Sequence, residues 1–195
     1  MLVFALGIKA VGKSRVIREL NKHVGGIKEI SYGDVMLEIA KEKEGIADRE
    51  QIAALSPQKQ KKIREEAARK IRALADKESF VFLNTHGFIY TLPHHTYLPG
   101  SPDSVSDVLK PDFVLLVEAD AREIIARRER DAKAGRKREI GSVQELNEAM
   151  ELERMAAVHV SARYACSLKV FDNSLPIERN PHLSALSELF NSLRA

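Results

Sequence analysis

The chain is poor in cysteine and has no long apolar run. With Cys166 the one cysteine among 195 residues, no internal disulfide can form, which points to a reducing, cytoplasmic setting. Set among Tyr164, Ala165 and Leu168, it is expected to pack as a small hydrophobe. No stretch reaches the about 18 apolar residues of a membrane-spanning helix. The N-terminal MLVFALGIK has neither a basic region nor a cleavage site, so it reads as a buried strand and not a leader. Repeats, low-complexity segments and an interdomain linker are also missing. The guanine-reading pattern N-K-x-D is absent, which argues against a GTPase switch. A net charge of +3 is too small to argue for nucleic-acid binding, and no membrane partner is expected. The distribution of charge says more: Arg127, Arg128, Arg130, Lys133, Arg136, Lys137 and Arg138 fall within twelve residues.

Periods of two and of 3.6 residues alternate along the chain, the pattern of an α/β protein with a parallel sheet. The expected fold is a single domain over 1–195, a three-layer sandwich with a central parallel sheet of about five strands flanked by helices. Strands are expected at Leu2–Leu6, Ile27–Ile30, Phe80–Leu83, Phe113–Val117 and Leu168–Phe171. The runs at 80–83 and 113–117 are continuously apolar, as strands covered on both faces are. Helices are expected at Arg15–His23, Val35–Lys43, Pro57–Lys77, Ala121–Arg130, Val143–Arg163 and His182–Leu193, with Ser56 capping the third. Thr85–Asp103 holds three prolines and three of the six histidines and reads as a long functional loop. Ala132–Gly141 reads as polar and mobile.

One segment carries chemistry outright. Gly7-Ile8-Lys9-Ala10-Val11-Gly12-Lys13-Ser14 matches G-x-x-x-x-G-K-[ST] in full, with a strand feeding it and a helix leaving it. Its glycines let backbone N–H groups converge, and the helix that starts at Lys13-Ser14-Arg15 adds free N–H groups and a positive dipole end. Lys13 is placed to reach the β- and γ-phosphates of ATP, and the Ser14 hydroxyl to hold Mg²⁺. The cations from Arg127 to Arg138 have two readings. They form a lid whose arginines close on a transferring phosphoryl group, or they are a solvated helix end favoured by the helix dipole.

Taken together these residues resemble the archaeal-type adenylate kinases, and more weakly the nuclear adenylate kinases that also act as ATPases. The resemblance runs nearly end to end. Besides the phosphate loop it rests on Tyr32-Gly33-Asp34-Val35-Met36-Leu37-Glu38-Ile39-Ala40, Asp48-Arg49, Thr85-His86, Tyr97-Leu98-Pro99-Gly100, Pro111-Asp112 and the Arg127-Arg128 to Arg136-x-Arg138 stretch. It implies an acceptor-binding helical insertion at about 31–77 and a short lid at about 128–141. It implies that Arg128 stacks on the ATP adenine, that Arg136 and Arg138 meet the transferring phosphates, and that Asn173 lies near the ATP base. Arg49 is implied to bind the acceptor phosphate, with Asp34, Thr85 and His86 also on the acceptor side. A homo-oligomer, by resemblance a trimer, is implied as well.

The chain departs from that pattern at three places. Lys9-Ala10 stands where the family usually has Pro-Gly. Asn84-Thr85-His86 stands where the family has Asp-Thr-His, so a carboxylate near the metal's water shell is missing; Asp34 either supplies it or merely caps the helix that follows. Phe88-Ile89-Tyr90 stands where relatives carry a basic residue for the acceptor phosphate. His94 and His95 have three readings: that phosphate contact, loop residues without a role, or metal ligands, though adjacent histidines with no further Cys/His cluster suit zinc poorly. The leading expectation is therefore transfer of the γ-phosphoryl of MgATP to AMP, giving two ADP. The alternatives are a kinase for another nucleoside monophosphate or a small metabolite, and an ATPase switch in ribosome or RNA maturation. The basic helix Lys59–Arg72 could meet RNA in the last case, but its interleaved acids read as a solvated helix face.

Overall fold

The computed structural model describes every residue except 49, 50, 53, 92–95, 136–139 and 195. In chain order the elements are β1 (Leu2–Leu6), α1 (Lys13–Val24), β2 (Ile27–Ser31), α2 (Tyr32–Glu44), α3 (Pro57–Ala75), β3 (Phe80–Asn84) and β4 (Phe88–Thr91). There follow β5 (Thr96–Pro99), α4 (Asp103–Leu109), β6 (Phe113–Glu118), α5 (Ala121–Lys133), α6 (Val143–Tyr164), β7 (Ser167–Asp172), a 3-10 turn (Ile177–Arg179) and α7 (His182–Ser192). Local chemistry sets several boundaries. Ser31 Oγ accepts the Asp34 N–H, Ser56 Oγ accepts the Lys59 N–H ahead of Pro57, and Ser142 with Glu145 closes a capping box.

Five strands form one parallel sheet in the order β2-β3-β1-β6-β7. β1 lies in its middle and is buried along its whole length. Leu2, Phe4 and Leu6 face a layer built from α2, α3, α4 and α6, while Val3 and Ala5 face α1, α5 and α7. Alternation along one strand thus divides the core into two layers. In the second layer, Phe190 of α7 meets Phe80, Phe82 and Phe113 with ring centroids 5.9, 5.1 and 5.2 Å away. β1, β3 and β6 all end on the same sheet edge, where ligands of open α/β sheets bind.

The loop expected over Thr85–Asp103 contains regular structure. β4 and β5 pair as an antiparallel ribbon with Tyr90 opposite Tyr97, ring centroids 5.2 Å apart. Cross-strand aromatic pairs of this kind hold such ribbons together, and the prolines and histidines around them masked that signal. α4 follows in one short stretch whose Val105 and Leu109 are buried. α2 begins at Tyr32 and not at Val35, because Tyr32 is itself buried and donates its hydroxyl to the Arg64 carbonyl at 3.0 Å; burial pushes its phenol well above the usual range. The cations of α3 face the acids of α2, with Lys59–Glu44 at 2.5 Å and Lys70–Glu38 at 2.8 Å. Cys166 is half-buried against the first layer, and burial raises its thiol pKa. Among the described residues no helix is long and apolar enough to cross a membrane.

Candidate active site

The residues between β1 and α1 turn back sharply over the end of the sheet. At Gly7 a β-carbon would lie 2.4 Å from the Val117 carbonyl oxygen, so the strand can leave the sheet there only without a side chain. Gly12 has φ 99° and caps α1; a β-carbon on it would lie 2.4 Å from Asn173 Nδ2. That amide, 3% exposed, donates to the Val11 carbonyl at 2.9 Å, so Asn173 props the loop from below. Ala10 sits at φ 71°, a left-handed conformation that costs an L-residue about 1–2 kcal/mol. The position calls for the glycine that the family's Pro-Gly supplies. Lys13 is 6% exposed, and its ammonium donates to the carbonyls of Gly7 and, at 3.4 Å, Ile8. Arg15, in the first turn of α1, is ion-paired with Glu178 at the rim.

This loop forms one end of a cleft of about 820 Å³, within the usual range of ligand sites. The end of β3 supplies its floor. Asn84 Nδ2 donates to Ser14 Oγ at 2.9 Å and to Glu29 Oε1 at 3.1 Å. Thr85 is buried with its hydroxyl against that of Ser101 at 3.2 Å. His86 Nδ1 stands 2.7 Å from the Gly7 carbonyl and 3.4 Å from Lys13 Nζ. Burial, and then the Lys13 ammonium, hold the His86 imidazole below its ordinary pKa. Around Ser14 the chain therefore offers hard oxygen donors, a hydroxyl and a carboxylate one amide away, which fits Mg²⁺. Among the described residues no group of three His, Cys, Asp or Glu could hold an ion without phosphate or water.

Asp34 lies in the first turn of α2, exposed, with its N–H on Ser31 Oγ at 3.3 Å. The capping expectation is corrected here: Ser31 caps the helix. α5 sends Arg127 to the loop, where its guanidinium donates to the carbonyls of Val11 at 2.8 Å and Asn173 at 2.6 Å. Arg128 donates to the carbonyls of Ile140 at 3.0 Å and Lys9 at 3.2 Å, tying the far end of the expected lid to the phosphate loop. Arg49, His94, His95, Arg136 and Arg138 lie outside the described residues.

Four residues at the site escaped the sequence reading. In sequence Arg127 reads as one of the lid cations, and nothing there shows that its guanidinium holds the Val11 and Asn173 carbonyls. Arg64, on α3, lines the cleft with Tyr32; in sequence it is one cation among many on a charged helix. Glu29 shares a strand face with Ser31, which the register sets beside Asn84, but alternation alone names no neighbour across a sheet. Glu153 had a readable signal. It falls in the buried stripe Leu146, Glu153, Ala157, Val160 of α6, where a carboxylate is out of place.

A family profile described as "AAA domain" matches residues 6–147. An adenylate kinase of Methanopyrus kandleri is 37% identical over 172 residues, which cover 88% of each chain. An adenylate kinase of Methanothermobacter thermautotrophicus is 36% identical over 188 residues, covering 96% of each. Among solved structures, a shikimate kinase of Acinetobacter baumannii superposes with a TM-score of 0.57 at 12% identity over 98% of this chain and 93% of its own. A thymidylate kinase of Candida albicans does so with a TM-score of 0.54 at 14% identity, over 99% and 92%. At such identities these two speak for the fold alone. The sequence relatives, spanning nearly the whole length, decide the lineage: the chain belongs to the archaeal-type adenylate kinase family.

Proposed function

We propose that this chain works as an adenylate kinase, moving the γ-phosphoryl of MgATP reversibly to AMP and giving two ADP. One observation carries the reading: the phosphate loop, with Lys13 and Ser14, and a cation from a different element, Arg64 of α3, line the same cleft, as a phosphoryl donor and a phosphate-bearing acceptor require. The backbone N–H groups of Gly7 to Arg15 cradle the ATP phosphates and Lys13 contacts the β- and γ-groups. Ser14 is the residue that would hold Mg²⁺, with Asn84 fixing its hydroxyl. The metal, when bound, neutralises charge on the phosphate oxygens. Arg128 stacks on the adenine, with Asn173 near the base, and Arg136 and Arg138 close over the transferring group and exclude water. Arg49, Thr85, His86 and Asp34 serve the acceptor side, within the insertion at about 31–77 and the floor of the cleft. Arg64 takes the place of the basic residue absent at Phe88-Ile89-Tyr90. No covalent intermediate is needed, since alignment and electrostatics carry phosphoryl transfer. A cytoplasmic site of action, suited to a lone half-buried thiol, and a homo-oligomeric assembly belong to the same proposal.

The test is to incubate the purified protein with MgATP and each of AMP, CMP, UMP, GMP and dAMP, and to follow diphosphate against a no-acceptor control. ADP formation stimulated by AMP and abolished in Lys13→Ala is the expected result. Preference for another acceptor would reassign the Arg64 end of the cleft, and hydrolysis indifferent to every acceptor would overturn the kinase reading.

A further inference from the structure

Two charged side chains are buried among the described residues, Lys13 and Glu153, the latter 2% exposed. They come from distant parts of the chain, and one imidazole stands between them. Glu153 Oε2 accepts the Gly87 N–H at 2.7 Å. Its Oε1 is buried, accepts no hydrogen bond among the described residues, and faces His86 Nδ1 at 3.6 Å. The same Nδ1 lies 3.4 Å from Lys13 Nζ and 2.7 Å from the Gly7 carbonyl. The two legs through Nδ1 bring the carboxylate within about 7 Å of the ammonium, close enough for strong coupling in a partly buried setting. The approach is tight: a β-carbon on Gly87 would lie 2.3 Å from Ala156 Cβ and 3.0 Å from Glu153 Oε2. α6 is therefore pressed against the turn that carries His86.

A buried carboxylate with one idle oxygen is costly, and an apolar residue of similar size would suit this helix face better. The other charged side chain buried among the described residues is the phosphate-loop lysine, on the far side of His86. We propose that Glu153 tunes the grip of the phosphate loop: through His86 its carboxylate is an internal counter-charge to Lys13, and it weakens the hold of the loop on a bound phosphate so that the diphosphate product can leave. Glu153 is thus a positioning residue that does not touch substrate. The inference rests on Lys13 being the phosphate ligand.

The test is ADP binding by calorimetry, and ADP release by stopped flow, for the full chain and for Glu153→Gln, with adenosine as the ligand without phosphate. Glu153→Gln is expected to bind ADP about fivefold or more tightly, with release slowed to match, and to bind adenosine unchanged. A merely structural role would loosen both ligands or alter neither. Glu153→Met, apolar and of similar volume, is the second variant should glutamine unfold the protein, and the same tightening is expected of it. ADP affinity unchanged or weakened in both variants would overturn the proposal, as would equal tightening of adenosine. Lys13→Ala separates the underlying reading: if it leaves ADP affinity intact, the phosphate-loop assignment fails along with the inference. If it weakens ADP binding while neither Glu153 variant tightens it, the role of Glu153 alone fails.

Discussion

Replacing Gly12 with alanine should destabilise the protein by about 2–3 kcal/mol, several times the cost of the same change at Gly45. Both glycines hold left-handed backbone, at φ 99° and 66°, so each substitution adds strain of about 1–2 kcal/mol, partly offset by about 0.4–1 kcal/mol from a stiffer unfolded chain. At Gly45 a β-carbon meets nothing within 4 Å, and the account ends there. At Gly12 it would lie 2.4 Å from the buried Asn173 amide. That amide must move, and its 2.9 Å bond to the Val11 carbonyl is lost. A buried donor left without its acceptor costs about 1–3 kcal/mol more. For a chain of this length 1 kcal/mol moves the melting temperature by about 2–4 °C, so Gly12→Ala should melt roughly 5–10 °C below the wild type. Thermal unfolding of both single variants, of Asn173→Ala, and of Gly12→Ala with Asn173→Ala forms a double-mutant cycle. Removing the amide gives the methyl group room, so the double variant should be about 1–2 kcal/mol more stable than the sum of the singles predicts. Strict additivity, or equal losses at Gly12 and Gly45, would refute this account of the loop.

Arg64→Ala should raise the KM for AMP about tenfold or more and change the KM for ATP little, because a charged hydrogen bond to phosphate is worth about 1.5–3 kcal/mol; steady-state kinetics varying each substrate in turn decides, and equal shifts would place Arg64 outside the acceptor pocket. Asp34 and Glu29 are competing sources of the acid that Asn84 does not provide: the carboxylate that matters is the one whose replacement, Asp34→Ala or Glu29→Gln, raises the Mg²⁺ needed for half-maximal activity, and Asn84→Asp should be tolerated. If both substitutions leave the Mg²⁺ titration unmoved, neither acid serves the metal. The depressed His86 pKa sets a pH dependence. The unfolded chain takes up this proton near pH 6.5 while the folded chain resists it, so the contribution is full above that pH and is lost as pH falls below it. Urea unfolding across pH 5 to 8 should therefore show the stability of the wild type, relative to His86→Asn, declining on the acid side only; a constant difference would contradict the resistance of the folded imidazole to protonation.

Much of this molecule is legible one residue at a time. The phosphate loop declares itself because its chemistry is local: convergent N–H groups need glycine where the chain turns and a helix directly behind, all within eight consecutive residues. The three central strands, β1, β3 and β6, are equally plain, since burial on both faces demands continuous apolar runs. The ribbon of β4 and β5 is hidden because two four-residue strands have no period long enough to see, and what holds them is the pairing of Tyr90 with Tyr97. Ser31 and not Asp34 is the cap because α2 starts at Tyr32, which puts Asp34 inside the first turn.

By itself, then, the sequence determined that this is a parallel α/β protein with a phosphate-binding loop after its first strand, and its basic run marked where charge gathers. Tertiary structure alone decided which charges outside the phosphate loop come to the cleft. Glu29 comes to Asn84 across a strand register, Arg64 reaches the cleft by the packing of α3 on α2, and Glu153 reaches Lys13 over a separation of 140 positions through His86. Contacts of that kind leave no spacing to read, because the chain between them is free to vary in length; they exist only once the core has closed and left those groups beside one another.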